Sequence, residues 1–320
     1  MSANSPILVV EKLSKHFPLK GGGRVRALNR VSFRQARRET IGIVGESGCG
    51  KSTLARTILR LIEPSGGRVL FEGQDLRRLS ARQLRARRRD LQIVFQDPYA
   101  SLDPRMRIGD TLEEPLLIHR LGRRAERRAR VAELLEMVGL PADAAGRYPH
   151  EFSGGQRQRI GIARAIAVNP KVVIADEPVS ALDVSIQSQI LNLLVELRER
   201  LALSMLFISH DLAVVRYISD RVAVMYLGEI VEFGDATAVY ERPAHPYTKA
   251  LLSAIPQPEP GRRRQRVILP GDVPSPENPP PGCPFHPRCP AAMDRCRSEA
   301  PMEKNLGTTE QPQLVRCHLY

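Results

Sequence analysis

Short hydrophobic runs alternate along most of the chain with segments in which apolar residues recur every three or four positions. The runs at residues 40–44, 91–95, 172–175 and 206–208 are almost continuously apolar, as expected of strands that are buried on both faces. Helical spacing follows the first of them, over residues 54–61. This alternation predicts an α/β fold with a parallel sheet.

The beginning of the chain has a different pattern. Residues 7–44 read as antiparallel strands, with a glycine hinge at residues 21–23. We expect one strand over residues 7–10, a second that ends at residues 16–17, and a third over residues 26–33. The sequence therefore predicts an antiparallel β subdomain ahead of the parallel sheet.

A second departure lies in the middle of the chain. Residues 105–150 carry helical periodicity, most clearly over residues 108–119 and 123–138, and the second segment is closed by a Gly-Leu-Pro turn. This pattern predicts a helical insertion in the α/β domain, spanning about residues 97–155.

A glycine-rich sequence, GESGCGKST, joins the strand at residues 40–44 to the helix that follows. Its glycines allow the backbone N–H groups to face phosphate oxygens at a helix N-terminus, where the helix dipole also favours negative charge. Lys51 can reach the β- and γ-phosphates, and the Ser52 hydroxyl can bind Mg²⁺. The candidate nucleotide ligands in this loop are Gly45, Glu46, Ser47, Gly48, Cys49, Gly50, Lys51, Ser52 and Thr53.

Several polar side chains at the ends of predicted strands could complete a nucleoside triphosphate site. Asp176 is placed to bind Mg²⁺, and Glu177 is placed to activate a water molecule for attack on the γ-phosphate. Gln96 could contact Mg²⁺ or that water, and His210 could contact the γ-phosphate. Upstream, Phe17 is either a residue that stacks on adenine or a core phenylalanine.

The sequence Phe-Ser-Gly-Gly-Gln at residues 152–156 precedes a helical segment, residues 157–167. Ser153, Gly154, Gly155 and Gln156 therefore form a second candidate anion site at a helix N-terminus. It lies about 100 residues after the first one. Two such sites in one chain suggest that the second completes the nucleotide site of a neighbouring molecule.

The composition is that of a soluble globular protein, with 42% hydrophobic and 26% charged residues. No apolar run approaches the roughly 20 residues of a membrane span, and no secretory signal is evident, so we expect a cytosolic location. The formal charge is +13, and arginine clusters at residues 82–89, 120–130 and 262–266 contribute to it. These clusters are either solvated helix faces or surfaces for polyanions. Because aromatic residues are scarce, a solvated or lipid-facing role is favoured over nucleic-acid binding.

With these motifs assembled, the chain resembles the ATP-binding subunit of an ABC transporter over about residues 5–255. The phosphate loop, Gln96, the signature at residues 152–156, the acidic pair, the SALD sequence at residues 180–183 and His210 occur in the order and at the spacing of that family. One departure is Phe152, where leucine is commoner. The resemblance implies an ABC-type P-loop domain with an antiparallel β subdomain and a helical insertion, in which two subunits enclose two ATP molecules.

The resemblance also implies particular roles for these residues. Glu177 would be the general base, His210 would contact the γ-phosphate, and Gln96 would couple the site to the membrane partner. Asp183 would communicate across the dimer, and the signature residues would complete the site of the partner subunit. The implied Mg²⁺ ligands are Ser52, Gln96 and Asp176.

The last part of the chain, residues 256–320, is rich in proline and contains the sequence LPGDVPSPENPPPGCPFHPRCP at residues 269–290. It resembles the C-terminal extension of ATPases that serve dipeptide and oligopeptide importers, and the order of features is closest to the member that pairs with a second, different ATPase. We therefore expect an ATP-binding domain over residues 1–255 and an irregular, cysteine-containing extension over residues 256–320.

Four of the five cysteines lie in this extension, at Cys283, Cys289, Cys296 and Cys317. Disulfides are disfavoured in the cytosol, so metal ligation is expected. Zinc ribbons usually carry tighter C-x2-C pairs, and some members of the resembled subfamily carry a [4Fe–4S] cluster here. A cluster is therefore favoured over zinc and over unligated thiols, with His286 and His318 as bystanders.

The function implied by the resemblance is ATP hydrolysis that drives uptake of dipeptides or oligopeptides. The expected partners are two transmembrane permease subunits, a second and different ATPase and, indirectly, an extracytoplasmic peptide-binding protein. The protein would lie peripherally on the cytoplasmic face of the inner membrane and would bind no nucleic acid. Alternatives are transport of another solute such as nickel, or a soluble ABC ATPase of DNA repair or translation. The soluble alternatives fit less well, because only about 100 residues separate loop and signature and the chain has one cassette.

Overall fold

The computed structural model describes residues 5–19, 21–97, 99, 101–255 and 267–320. The chain separates into two compact units. The first unit is built mainly from residues 36–39 and 78–208, and the second from residues 6–35, 40–77 and 209–320. Across the described part of the chain, no helix has the length and apolar character that crossing a membrane requires.

The structure contains the predicted parallel strands and helices in their predicted order, together with further strands and helices that were not predicted. The strands are β1 (Leu8–Pro18), β2 (Arg24–Gln35), β3 (Thr40–Val44), β4 (Gly66–Phe71), β5 (Gln74–Asp75), β6 (Leu91–Val94), β7 (Val172–Asp176), β8 (Ser204–Ser209), β9 (Arg221–Tyr226), β10 (Glu229–Asp235), β11 (Glu303–Asn305) and β12 (Leu314–Arg316). The helices are α1 (Lys51–Ile58), α2 (Ala81–Arg87), α3 (Ile108–Ile118), α4 (Arg124–Met137), α5 (Gly154–Ile166), α6 (Val184–Arg200), α7 (Leu212–Ile218), α8 (Ala236–Glu241) and α9 (Pro246–Ser253).

The second unit contains the antiparallel β subdomain, with strand order β2-β1-β4-β5. The two strands expected at residues 7–10 and up to 16–17 are a single strand, β1, and in this respect the prediction was wrong. The register of β1 against β2 shifts between Val10 and His16, and Lys12 has a φ of 47°. These irregularities let β1 continue past polar residues that resemble a turn in the sequence.

The same unit holds the strand that leads into the phosphate loop. β3 pairs in parallel with β9, with Ile43 opposite Ala223, and β9 pairs antiparallel with β10. All five residues of β3 are buried. A continuously apolar strand is expected where both faces of a sheet are covered, and this burial fixes the start of the loop.

The first unit holds the other predicted parallel strands. β7 pairs in parallel with both β6 and β8, with Ala175 opposite Val94 and Phe207. The carboxyl ends of the three strands therefore lie at one edge, where α/β folds place their ligand sites. The helices α3 and α4 pack against each other and against α5, in the region where a helical insertion was predicted.

The extension is mostly irregular, but it contributes a short hairpin that the sequence did not predict. β12 pairs antiparallel with β10, with Val315 opposite Glu232, and β11 pairs with β12. Glu232 is completely buried and accepts a hydrogen bond from the Gln313 side chain at 2.8 Å. Residues 209–255 and 267–320 thus belong to one compact unit. A domain boundary at residue 255 stays a prediction, because residues 256–266 lie outside the described part of the chain.

Candidate nucleotide-binding site

At two positions of the phosphate loop, Gly45 and Gly50, the backbone leaves no room for a side chain. Gly50 has a φ of 105°, and a Cβ atom there would lie 2.3 Å from the Ala27 carbonyl oxygen. At Gly45 a Cβ atom would lie 2.3 Å from the Met225 carbonyl oxygen. Side chains at these positions would push the loop away from β2 and β9, so the glycines are required for its path.

Helix α1 begins at Lys51, directly after Gly50, and no side chain caps its N-terminus. The first N–H groups of a helix have no partner within the helix, and the helix dipole gives this end a partial positive charge. The start of α1 can therefore receive an anion such as a phosphate group. Ser52 and Thr53 lie half-buried in the first turn of α1.

The Lys51 side chain is buried, and its ammonium group is held inside the loop. Its Nζ atom donates to the carbonyl oxygens of Gly45 at 2.9 Å and Glu46 at 3.1 Å. A positive charge is thus kept close to the N-terminus of α1. This arrangement suits an incoming polyphosphate.

Glu46 and Cys49 do not look like phosphate ligands through their side chains. The Glu46 carboxylate accepts two hydrogen bonds from Arg288, at 2.7 and 3.1 Å. Its backbone N–H donates to the Tyr247 hydroxyl at 3.0 Å. Burial raises the pKa of the Cys49 thiol to about 11, so it stays protonated at neutral pH. Both residues remain candidate ligands only through the backbone of the loop.

Arg288 and Tyr247 were missed by the sequence reasoning. They lie 242 and 201 positions away from Glu46 in the sequence. No local pattern marks either residue, since an arginine in a proline-rich tail and a tyrosine in a helix have no spacing relative to a glycine loop. Only the tertiary structure brings them to it.

At the strand ends of the first unit, two predicted residues meet. The Gln96 Nε2 atom donates to Glu177 Oε2 at 3.1 Å. Glu177 has a φ of 47°, a left-handed backbone that is uncommon outside glycine, and its N–H donates to the Ile208 carbonyl oxygen at 3.0 Å. The strained backbone turns the carboxylate toward the end of β6. Asp176, the last residue of β7, is buried.

His210 directly follows β8 and is exposed. The next residue, Asp211, caps α7 by accepting a hydrogen bond from the Ala213 N–H at 2.8 Å. The Ser209 hydroxyl accepts from the Asp211 N–H at 3.0 Å. His210 therefore lies on a short, well-defined turn rather than in the core.

The signature residues form the N-terminus of α5. Ser153 is the N-cap, with its hydroxyl accepting from the Gln156 N–H at 3.3 Å and its own N–H donating to Gln156 Oε1 at 3.0 Å. Ser153 and Gln156 are exposed. A Cβ atom on Gly155 would lie 2.5 Å from Ile186 Cγ2, so glycine is required there. The unusual Phe152 is buried beneath the Arg147 guanidinium group, 4.5 Å from the ring centre.

Two further candidate site residues, Phe17 and Asp183, lie in different parts of the chain. Phe17 is half-buried in β1, opposite Val25 of β2, and the Lys15 ammonium group lies 4.8 Å from its ring centre. Asp183 is exposed at the N-terminus of α6 and makes no capping hydrogen bond. The roles predicted for both residues stay predictions.

The four cysteines of the extension are free thiols, three of them buried. The Cys283 N–H donates to the Cys296 carbonyl oxygen at 2.8 Å, and burial raises the pKa of the Cys283 thiol to about 11. Among the described residues, however, no group of three or more His, Cys, Asp or Glu side chains is arranged to hold a metal ion. The structure therefore does not support the predicted [4Fe–4S] cluster. His286 and His318 make hydrogen bonds of their own, to Cys283 O and Arg295.

A strand, a glycine loop with a buried lysine and an uncapped helix define a P-loop nucleotide-binding protein. Residues 28–180 match the family model of the ABC transporter, and residues 231–296 match the C-terminal region of oligopeptide/dipeptide transporters. The chain belongs to the ABC transporter family and is an ATP-hydrolysing subunit of it. This confirms the resemblance, the fold class and the enzyme class predicted from the sequence.

Similar proteins cover nearly the whole chain. A protein of Brucella ovis that carries the name of a peptide import ATP-binding protein is 57% identical over 315 residues, covering 98% of this chain and 99% of the relative. The oligopeptide transport ATP-binding protein AppF of Bacillus subtilis is 52% identical over 323 residues. The alignment covers 98% of this chain and 97% of AppF. Among solved structures, the dimeric ATP-binding cassette MJ0796, in a post-hydrolysis state bound to ADP and Pi, superposes with a TM-score of 0.66. It is 31% identical and covers 72% of this chain and 98% of its own.

Proposed function

We propose that this protein hydrolyses ATP to drive the uptake of dipeptides or oligopeptides through separate permease subunits. The observation that carries this proposal is the match of residues 231–296 to the C-terminal region of oligopeptide/dipeptide transporters. That region is additional to the ATP-binding cassette and distinguishes a subgroup within the family. The names of the relatives that span the whole chain point to the same cargo.

The proposed hydrolysis centres on Glu177. Its carboxylate accepts the proton of the attacking water, and the hydrogen bond from Gln96 keeps that carboxylate oriented. Lys51 and the N-terminus of α1 bind the phosphates, and His210 contacts the γ-phosphate. Ser52, Asp176 and Gln96 are the proposed oxygen ligands for Mg²⁺, which would offset charge on the phosphates. Phe17 stacks on the adenine, and Thr53 and the other loop residues contribute backbone donors.

The proposed site is completed by a second subunit. Ser153, Gly154, Gly155 and Gln156 form a helix N-terminus in which Ser153 and Gln156 are exposed and the two glycines are half-buried. Such a site suits an anion supplied from outside the subunit. Asp183 is also exposed and available to a partner. A dimer is further supported by the dimeric state of the similar solved cassette. We propose that the second subunit is a different ATPase, so that the active assembly is a heterodimer.

The remaining proposed partners follow from the cargo. They are two transmembrane permease subunits, which would hold the ATPase peripherally on the cytoplasmic face of the inner membrane, and an extracytoplasmic peptide-binding protein that acts indirectly. Transport of nickel or another solute would use the same ATP site. The identity of the transported solute would therefore depend on the permease subunits and the binding protein, and not on this ATPase.

We retain the [4Fe–4S] cluster as a separate proposal about the extension. It rests on the four cysteines of the extension, Cys283, Cys289, Cys296 and Cys317, which are free thiols. Iron and sulfide analysis of protein purified without oxygen, together with visible absorption, tests it. Four irons per chain and loss of colour in Cys289→Ser are expected, and colourless iron-free protein would exclude the cluster.

The proposed function is tested by tagging the chain and purifying it from membranes. We expect two polytopic membrane proteins and a second ATPase to accompany it, and ATP hydrolysis by the assembly to rise when peptide and its binding protein are added. Stimulation by nickel instead of peptide would reassign the cargo. Purification of a soluble protein with nucleic acid or ribosomes would overturn the transport role.

A further inference from the structure

We infer that Arg288 of the C-terminal extension is a positioning residue for the phosphate loop, so that the extension sets the affinity of this subunit for ATP. The inference rests on the proposed ATP site at that loop. Neither the motifs of the cassette nor the match of the extension assigns Arg288 a role. Hydrogen bonds join Arg288 to Lys51 through a single residue, Glu46.

The ion pair between Arg288 and Glu46 has a two-point geometry. Arg288 donates through Nη1 to Glu46 Oε2 at 2.7 Å and through Nη2 to Glu46 Oε1 at 3.1 Å. Both oxygens of the carboxylate are therefore held by one planar guanidinium group. A two-point contact of this kind fixes direction as well as distance, which a lysine could not do.

Arg288 is held in place by its surroundings. Its side chain is only 9% exposed, and the residue ends a 3₁₀ turn, His286–Arg288, in which its N–H donates to the Phe285 carbonyl oxygen at 3.0 Å. Phe285 is 1% exposed. Its ring packs edge-on against Tyr226, with ring centres 5.2 Å apart, and lies 5.4 Å from the ring centre of Tyr247. The guanidinium group is thus placed before any nucleotide arrives.

Several contacts meet at Glu46. Its backbone N–H donates to the Tyr247 hydroxyl, and its carbonyl oxygen accepts from Lys51 Nζ at 3.1 Å. The side chain is held by Arg288. Residue 46 is therefore fixed at three points, and one of them is the ammonium group that is proposed to bind phosphate. A shift of Glu46 moves an acceptor of Lys51.

The consequence concerns binding more than chemistry. Arg288 acts through Glu46 and is not one of the proposed catalytic residues, so its loss is expected to leave the turnover of bound ATP nearly unchanged. It would instead free residue 46 to shift, together with the carbonyl oxygen that accepts from Lys51 Nζ, so the ammonium group would be held less firmly for the phosphates. Loss of one charge-assisted contact corresponds to weakening of ATP binding by about tenfold.

The test measures ATP affinity, KM and kcat of the full-length chain in its assembly, with a fluorescent methylanthraniloyl ATP as the binding probe. Arg288→Gln and Glu46→Gln are each expected to raise Kd and KM about tenfold with little change in kcat. The double variant should be no weaker than the single variants, since both break the same contact. Arg288→Lys should recover part of the affinity.

The matched control is Arg316→Gln. Arg316 also belongs to the extension and forms ion pairs, with Glu229 at 3.4 Å and Glu303 at 3.7 Å, but neither partner lies in the loop. Wild-type affinity in this variant is expected. If it weakens ATP binding as much as Arg288→Gln, the effect is general loosening of the extension and the inference fails.

Two other results would overturn the inference. One is wild-type affinity in folded Arg288→Gln and Glu46→Gln; the other is a double variant whose loss is the product of the two single losses. If Arg288→Gln does not fold, Glu46→Gln and Arg288→Lys carry the same test. A wild-type chain that binds no ATP overturns the proposed function together with this inference, whereas a binding-competent wild type with unaffected variants overturns the inference alone.

Discussion

The carboxamide of Gln96 donates a hydrogen bond to the Glu177 carboxylate across the ends of two neighbouring parallel strands, with 3.1 Å between Nε2 and Oε2. Glu177 reaches this position through a left-handed backbone conformation, with a φ of 47°. Such a conformation costs about 1–3 kcal/mol, and observed strain of this kind clusters at functional sites. The hydrogen bond from Gln96 restrains the Glu177 carboxylate, which suits the proposed role of Glu177 as the base that accepts the proton of the attacking water.

The first prediction concerns Gly50 of the phosphate loop. Gly50→Ala should weaken ATP binding by tenfold or more, because a left-handed backbone costs a residue with a Cβ atom about 1–2 kcal/mol and the new atom would also lie 2.3 Å from the Ala27 carbonyl oxygen. Equilibrium binding of ATP to the full-length chain measures this loss.

Gly146→Ala is the control for that prediction. Gly146 lies at an ordinary φ with open space around its Cβ position. The Gly146→Ala variant should therefore bind ATP with wild-type affinity. Equal binding by the two alanine variants would mean that the loop tolerates a side chain at residue 50, contrary to the geometry.

The buried carboxylate of Glu232 gives a prediction about stability. Its oxygens accept from the N–H groups of Ala244 and His245 and from Gln313, at 2.8, 2.9 and 2.8 Å. Both oxygens of Glu232 accept hydrogen bonds, so in Glu232→Gln the amide N–H₂ group would face a buried donor whichever way the carboxamide is turned. We expect a loss of about 1–3 kcal/mol, seen as a thermal unfolding midpoint several degrees lower.

Glu303→Gln is the matched comparison for Glu232. Its carboxylate is 43% exposed and lies 3.7 Å from Arg316, so the substitution should change the midpoint little. If Glu232→Gln unfolds at the wild-type temperature, the contact between β10 and the extension does not stabilise the fold as described.

The buried imidazole of His245 gives a prediction about pH. Burial lowers its pKa to about 3, from an ordinary value near 6.5. The folded state therefore keeps His245 neutral while the unfolded chain takes up a proton, so stability is complete above about pH 6.5 and falls as the pH drops toward 3. The slope from this one residue is at most about 1.4 kcal/mol per pH unit.

The variant that checks this is His245→Asn. Asparagine can still cap α9, as the imidazole does by accepting from the Tyr247 N–H at 3.1 Å, but it does not titrate. Chemical denaturation at pH 7.5 and pH 5 should give a smaller pH-dependent loss for the variant than for the wild type. An identical loss in both proteins would rule out His245 as the source.

Local patterns in the sequence were enough to predict much of the cassette. The helix predicted at residues 108–119 is α3 (Ile108–Ile118), and the strand predicted at residues 91–95 is β6 (Leu91–Val94). The signals here were local: apolar periodicity, glycine and the order of the motifs. The same local signals failed at β1, because its polar residues occupy register shifts within a strand rather than a turn.

The contacts of the extension could not be predicted in this way. The pairs Glu46–Arg288 and Glu232–Gln313 join residues 242 and 81 positions apart. Such pairs depend on how the folded chain brings distant segments together, and single residues in a proline-rich segment carry no periodicity. The hairpin of β11 and β12 was missed for the same reason, since strands of three residues are too short to show alternation.

The most direct test of the account is ATP binding and phosphate release by Glu177→Gln in the full-length protein with its partner subunits. Glutamine keeps the size of the side chain but cannot accept the proton of the attacking water. The account predicts wild-type ATP binding and hydrolysis slower by about 10²- to 10⁴-fold, with normal hydrolysis in Glu136→Gln, an exposed carboxylate on α4. Hydrolysis by Glu177→Gln at the wild-type rate would contradict the account.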